Sequence, residues 1–221
     1  LLLRFCGMSF KRPDPFDKHR DEQAITRRMA EVKAQVKDLL DAGWEVYAAD
    51  EVRLEHEAET RRMQLPKGQR TKLSVDRQKT SQSFFGALSL TSKKVKLYPA
   101  EGNQNTEQTI LALDRLQRET REEKIAVVLD NARFHHAKML TGLHEPGRLL
   151  ERITPIHLPP YAPDHNPVEH VWNTAKNNIA NIQRETPEET FGAFASHITG
   201  RTFDHDFEHL PPRDTENDLV S

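Results

Sequence analysis

Ile25, Met29, Val32, Val36 and Leu39 recur at helical spacing, which predicts an amphipathic helix from Asp17 to Leu40. Gly43 follows it, placed to end the helix in the left-handed conformation that glycine adopts cheaply. The pattern then shortens. Trp44 to Asp50 reads as a strand running into the acidic pair Asp50-Glu51, and Lys72–Val75, Ser83–Leu90 and Lys94–Tyr98 read as further short strands. Ile110, Leu111, Leu113 and Leu116 form the stripe of a helix over Asn103–Gln117. Ile125–Leu129 is an unbroken apolar run, the mark of a strand buried on both faces, and it stops at Asp130. A short helix around His136–Leu143, a strand over Ile153–Leu158 and a proline-rich loop over Pro159–Asn166 follow. The next helix carries Val168, Val171, Trp172, Ala175, Ile179 and Ile182 on one face, and a last one spans Pro187–Ile198. From residue 203 the Asp, His, Glu and Pro content predicts a disordered tail to residue 221.

Early strands joined by short turns predict an antiparallel meander, and later strands alternating with helices predict parallel pairing by right-handed crossovers. The expected fold is therefore α/β, a mixed sheet with helices on both faces.

The chain has 221 residues, of which 36% are hydrophobic and 30% charged, which fits one modest core with solvated appendages. No run approaches a membrane span, and apolar Leu1–Cys6 is too short for a signal peptide. A single cysteine, Cys6, excludes an internal disulfide framework and fits a reducing compartment. The formal net charge of −2 excludes a protein that is basic throughout, but the charge is unevenly spread. Arg61, Arg62, Lys67, Arg70 and Lys72 open a basic segment that reads either as a polyanion-facing surface or as a solvated hairpin.

Three acids stand at the ends of expected elements. If the strands ending at Asp50 and Asp130 are parallel neighbours, both carboxylates leave the same edge of the sheet, where ligands of such sheets gather. Two close carboxylates repel unless a proton or a cation lies between them, and Mg²⁺ suits an all-oxygen site. Glu169 is the candidate third acid, and with it two metal ions could align water on a phosphodiester. Its helix opens Asn166-Pro167-Val168-Glu169, so the same Glu fits the reciprocal arm of a capping box. Asp130-Asn131 would equally make an Asx turn. His157, His165 and His170 raise zinc as another metal, although His165 and His170 straddle a helix start, a poor geometry for shared ligation. Trp172 reads as core, Tyr161 as loop packing or a base-stacking ring, and Asp164 as a favourable charge at a helix N-terminus.

Ala49-Asp50-Glu51, Val128-Leu129-Asp130-Asn131 with His135 beyond it, and Leu158-Pro-Pro-Tyr-Ala-Pro-Asp-His-Asn-Pro-Val-Glu-His-Val-Trp172 together resemble the DDE-superfamily transposases of the mariner and related bacterial insertion-sequence type. Lys67-Gly68-Gln69 and Phe85-Gly86-Ala87 are similar to that family as well, while the 39 residues from Asp130 to Glu169 exceed its usual short gap. The resemblance implies a ribonuclease H-like catalytic domain over residues 44–183. Residues 1–43 would be the remnant of a DNA-binding region with its linking helix, and 184–202 a C-terminal helix. It implies that Asp50, Asp130 and Glu169 are catalytic and bind two Mg²⁺ ions, with Mn²⁺ as substitute. Glu51, Asn131 and His135 would support them through hydrogen bonds. DNA would be the partner, in a homodimer located in the cytoplasm at the nucleoid. DNA would be nicked at element ends, and the freed 3′-hydroxyl would attack the target. A departure is the lack of the family's N-terminal DNA-binding domains, so a chain starting at Leu1 is expected to be part of a longer protein or a degenerate copy. A nuclease without strand transfer and an inactive remnant that binds DNA or a full-length partner are the alternatives.

Overall fold

Asp21 starts helix α1 (Glu22–Asp41), its carboxylate accepting hydrogen bonds from the Gln23 and Ala24 amides at 3.0 Å. The computed structural model describes residues 18, 20–69, 71–77, 79–102, 104–130 and 138–208. After α1 come β1 (Glu45–Glu55), β2 (Ser81–Ser89), β3 (Val95–Ala100), α2 (Thr106–Glu119), β4 (Ile125–Leu129), the short α3 (Lys138–Thr141), β5 (Ile153–His157), α4 (Pro167–Ile179) and α5 (Pro187–Thr199).

The strands form one sheet in the order β3-β2-β1-β4-β5. β1, β2 and β3 pair antiparallel, while β4 lies parallel to both β1 and β5. That mixed five-stranded sheet is the ribonuclease H-like arrangement. Alternation along β1 divides the core. Tyr47 and Ala49 face α2 together with Leu113 and Leu116, whereas Val46 and Ala48 face α1. Further along that second face, Val52 and Leu54 meet Val168, Val171 and Trp172 of α4 and Phe194 of α5. Every residue of β4 is buried, as its continuous apolar run requires.

Three expectations change. β1 does not stop at Asp50 but continues to Glu55, because β2 keeps pairing with it as far as Glu55 opposite Ser81 after β4 has ended. Lys72–Val75 is not a strand. The segment is exposed or half-buried throughout, so water can satisfy its backbone, and the residue after it is tied down by Gln183, whose side-chain oxygen accepts from the amides of both Ala58 and Asp76. Residues 203–208, expected as the start of a disordered tail, pack onto the domain. Phe203 joins the α4–α5 core, Phe207 is 3% exposed within the α1 core, and Lys93 pairs with Asp206 at 3.0 Å. Residues 209–221 and the segment 1–17 lie outside the described residues. No helix among the described residues is long and apolar enough to cross a membrane.

Candidate active site

The last parallel pair between β1 and β4 joins Ala48 to Val128. Asp50 and Asp130 each stand two residues beyond it, so the two acids lie at the same level of neighbouring strands. Asp50 is 8% exposed and shares the sheet face of Val46, Ala48 and Val52, the face covered by α1 and α4. Glu51, the next residue, points to the opposite face, where its carboxylate accepts from Thr109 Oγ1 of α2 at 3.0 Å.

α4 brings the third acid. Asn166 is its N-cap, 1% exposed, with its side-chain oxygen accepting from the Val168 amide at 3.4 Å. Its side-chain amide donates to the carbonyl of Ala49 at 3.1 Å, so the cap also fastens the helix to the residue preceding Asp50. The Asn166 backbone N–H is already satisfied by Pro163 O at 2.9 Å, so the reciprocal arm of a capping box is not used. The Glu169 carboxyl reaches the Asp50 carboxyl instead.

Negative charge is concentrated here. Burial, and then the charge of Glu169, hold the Asp50 carboxyl well above the usual carboxylate range, with Glu51 and Asp130 adding to the effect. Glu169 is raised as well, chiefly by burial and against the opposing pull of its hydrogen bond to Asp50. Two acids so placed repel each other unless a proton or a cation lies between them. All the converging donors are carboxylate oxygens, the set that fits Mg²⁺ or Mn²⁺. Among the described residues, however, no group of three or more His, Cys, Asp and Glu side chains is gathered into a metal-holding cluster. Asp50 and Glu169 touch, and Asp130 acts on both through its charge.

Two residues essential to this geometry were not assigned a part in it from sequence. Trp172, read as core, is indeed 1% exposed, but its indole N–H donates to Asp50 Oδ2 at 3.1 Å. Gly86, directly opposite Asp50 on β2, leaves the space for that ring: a Cβ on Gly86 would stand 2.2 Å from Trp172 Cη2. The buried indole needed an acceptor, which was the available signal. The loop before α4 is held from far away in the chain. Arg20 makes a two-pronged contact with Asp164 at 2.7 and 3.2 Å and donates to the Tyr161 carbonyl at 2.9 Å. Asp164 is therefore an ion-pair anchor. Tyr161 is 52% exposed, with φ 60.

Asn131 and His135, together with His136, lie outside the described residues. The expected short helix there is described only from Lys138 and continues as a 3-10 turn over Gly142–His144. In the basic segment, Arg62, Lys67 and Lys72 are exposed, and Arg70 lies outside the described residues. Arg61 is engaged within the domain, by Glu59 and by Asn177 of α4. His165 pairs with Asp164, and the His170 ring packs 5.7 Å from that of His205.

Solved structures with the same fold include the Mos1 strand transfer complex, with a TM-score of 0.62 and 16% identity over 91% of this chain and 61% of that one. The Mos1 mariner paired end complex with Mn matches with a TM-score of 0.62 and 16% identity, covering 92% and 63%. The corresponding complex with Mg matches with a TM-score of 0.62 and 17% identity, covering 93% and 64%. The chain thus spans less than two thirds of each of these proteins. No curated protein sequence matches it significantly. The family model for the DDE superfamily endonuclease matches residues 45–190, from the start of β1 into α5 and across all three acids. The chain belongs to the DDE superfamily endonuclease family.

Proposed function

We propose that this chain is the catalytic domain of a metal-dependent DNA transposase, which cuts phosphodiesters at element ends and transfers the 3′-hydroxyl strand to target DNA. The observation that carries the reading is the meeting of Asp50 and Glu169, with Asp130 beside them, at the rim of a ribonuclease H-like sheet in a DDE-family chain. Asp50, Asp130 and Glu169 would hold two Mg²⁺ ions, or Mn²⁺ in their place. When bound, these ions would supply Lewis-acid stabilisation of the charge that develops on the phosphodiester. The chain's own part is to hold the acids. β1 and β4 set two of them at one level, and Asn166 locks α4 against Ala49 so that Glu169 reaches Asp50. Burial keeps bulk water from screening their charges. Exposed Arg62, Lys67 and Lys72 on the β1–β2 connection would meet the DNA backbone, and a homodimer would bring two element ends together.

Nicking of a plasmid in Mg²⁺ or Mn²⁺ tests the catalytic reading. The parent chain is expected to nick, and Asp50→Ala, Asp130→Ala and Glu169→Ala are each expected to lose the activity. Three variants that nick like the parent sink the assignment. A pre-cut DNA end carrying a 3′-hydroxyl distinguishes the transposase, which joins it to a target duplex, from a nuclease that only hydrolyses.

A further inference from the structure

A tryptophan can be buried in many ways, and most give its N–H a backbone carbonyl or a water as acceptor. In this protein the acceptor is Oδ2 of Asp50, the most deeply buried of the three acids. Three features converge on that contact. Trp172 stands three residues after Glu169 on α4, so the helix presents both side chains on one face, and both reach the same carboxyl. Gly86 is the register partner of Asp50, so the gap left by its missing side chain lies directly beside the acid. The ring fills that gap and is backed by Phe194 of α5, with centroids 6.1 Å apart.

We infer that Trp172 is a positioning residue for cation binding: its N–H takes Oδ2 of Asp50 and sets the rotation of the carboxyl, leaving Oδ1 to bind a divalent cation beside Glu169. The inference rests on the metal-dependent reading above. A carboxyl at the end of a side chain turns broadly about its last bond, and a ligand that must be turned into place binds more weakly than one already held. The helix carries a ligand and the group that orients its partner ligand as one rigid unit. A shift of α4 therefore disturbs both together.

Mn²⁺ titration calorimetry on the whole chain tests this, using four proteins: the parent, Asp50→Asn, Trp172→Phe, and a chain with 3-benzothienylalanine at position 172. The last keeps the two-ring shape and replaces N–H by sulfur. The parent is expected to bind Mn²⁺ and Asp50→Asn to lose binding. Both proteins without the indole N–H are expected to bind about 10- to 100-fold more weakly, the range found for groups that orient metal ligands. The benzothienylalanine chain loses the hydrogen bond but keeps the ring packing, so its thermal midpoint is expected to fall less than that of Trp172→Phe while its Mn²⁺ affinity falls as far, which separates orientation from packing. Parent-like affinity in the benzothienylalanine chain overturns the inference and leaves the metal site standing, provided Asp50→Asn still abolishes binding. A parent that binds no Mn²⁺ overturns both.

Discussion

Gly86→Ala isolates the contact on which the site geometry depends. The added methyl would lie 2.2 Å from Trp172 Cη2 and 2.8 Å from Cζ2, well inside any tolerated carbon contact. Trp172 is 1% exposed and backed by Phe194, so the ring has no open space to retreat into. Overpacking of this kind costs about 1 to 3 kcal/mol. Displacing the ring also breaks its 3.1 Å hydrogen bond to Asp50, worth about 1.5 to 3 kcal/mol where one partner is charged. Against this, alanine suits a strand interior better than glycine by about 0.5 to 1 kcal/mol. The expected loss is about 2 to 4 kcal/mol, since relaxation removes part of the clash and the hydrogen-bond contribution shrinks when Asp50 is protonated. Urea unfolding of Gly86→Ala against the parent measures it. The decisive comparison is the same substitution in a Trp172→Phe background. Phenylalanine has a single ring and does not extend to the position of Cη2, so Gly86→Ala there should cost under about 1 kcal/mol. An equal cost in both backgrounds would mean that the clash with the indole is not what glycine avoids, and the account of the site would fall with it.

Other perturbations follow from the same contacts. Because the folded, cation-free protein holds Asp50's proton above its unfolded value, that contribution to stability is complete below the unfolded value and is lost as pH rises through the folded one. Asp50→Asn should therefore raise stability near pH 7 without metal by about 1 to 2 kcal/mol. The gain should fade toward about pH 4, where the unfolded acid is also protonated; thermal midpoints across pH check this, and a gain that grows on acidification refutes it. A double-mutant cycle on Arg20→Ala and Asp164→Ala should return a coupling of about 1 to 3 kcal/mol, because the pair is two-pronged and partly buried. Asn166→Asp keeps an oxygen to cap α4 but loses the donor to Ala49 O and adds charge near Asp50. It should destabilise by about 1 to 3 kcal/mol, by denaturant titration, and by more at neutral than at acid pH.

Local pattern carried far in this chain. The apolar run Ile125–Leu129 is β4 to the residue, and Ile25, Met29, Val32 and Val36 of α1 and Val168, Val171, Trp172 and Ala175 of α4 are buried as their spacing predicts, while Ile182 falls past the end of α4 and is exposed. Such elements are legible because burial repeats with the period of the backbone itself. Asn166 reads as an N-cap and is one. The errors fall where partners come from elsewhere. Nothing within Trp44–Asp50 says that β2 continues beside β1 to Glu55, and nothing within Lys72–Val75 says that no strand lies beside it in the sheet.

By itself, then, the sequence determined the kinds of elements, their order, and the three acids Asp50, Asp130 and Glu169 as members of one pattern. Only the tertiary structure decided what each neighbour does. It turned Glu51 away to Thr109, drew Glu169 onto Asp50 rather than its own helix cap, and made a core tryptophan the donor to a buried acid across a glycine gap. The reason is physical. Periodicity encodes which face a residue occupies, but hydrogen bonds between residues more than a hundred positions apart depend on how sheet and helix come together, and no local pattern records that.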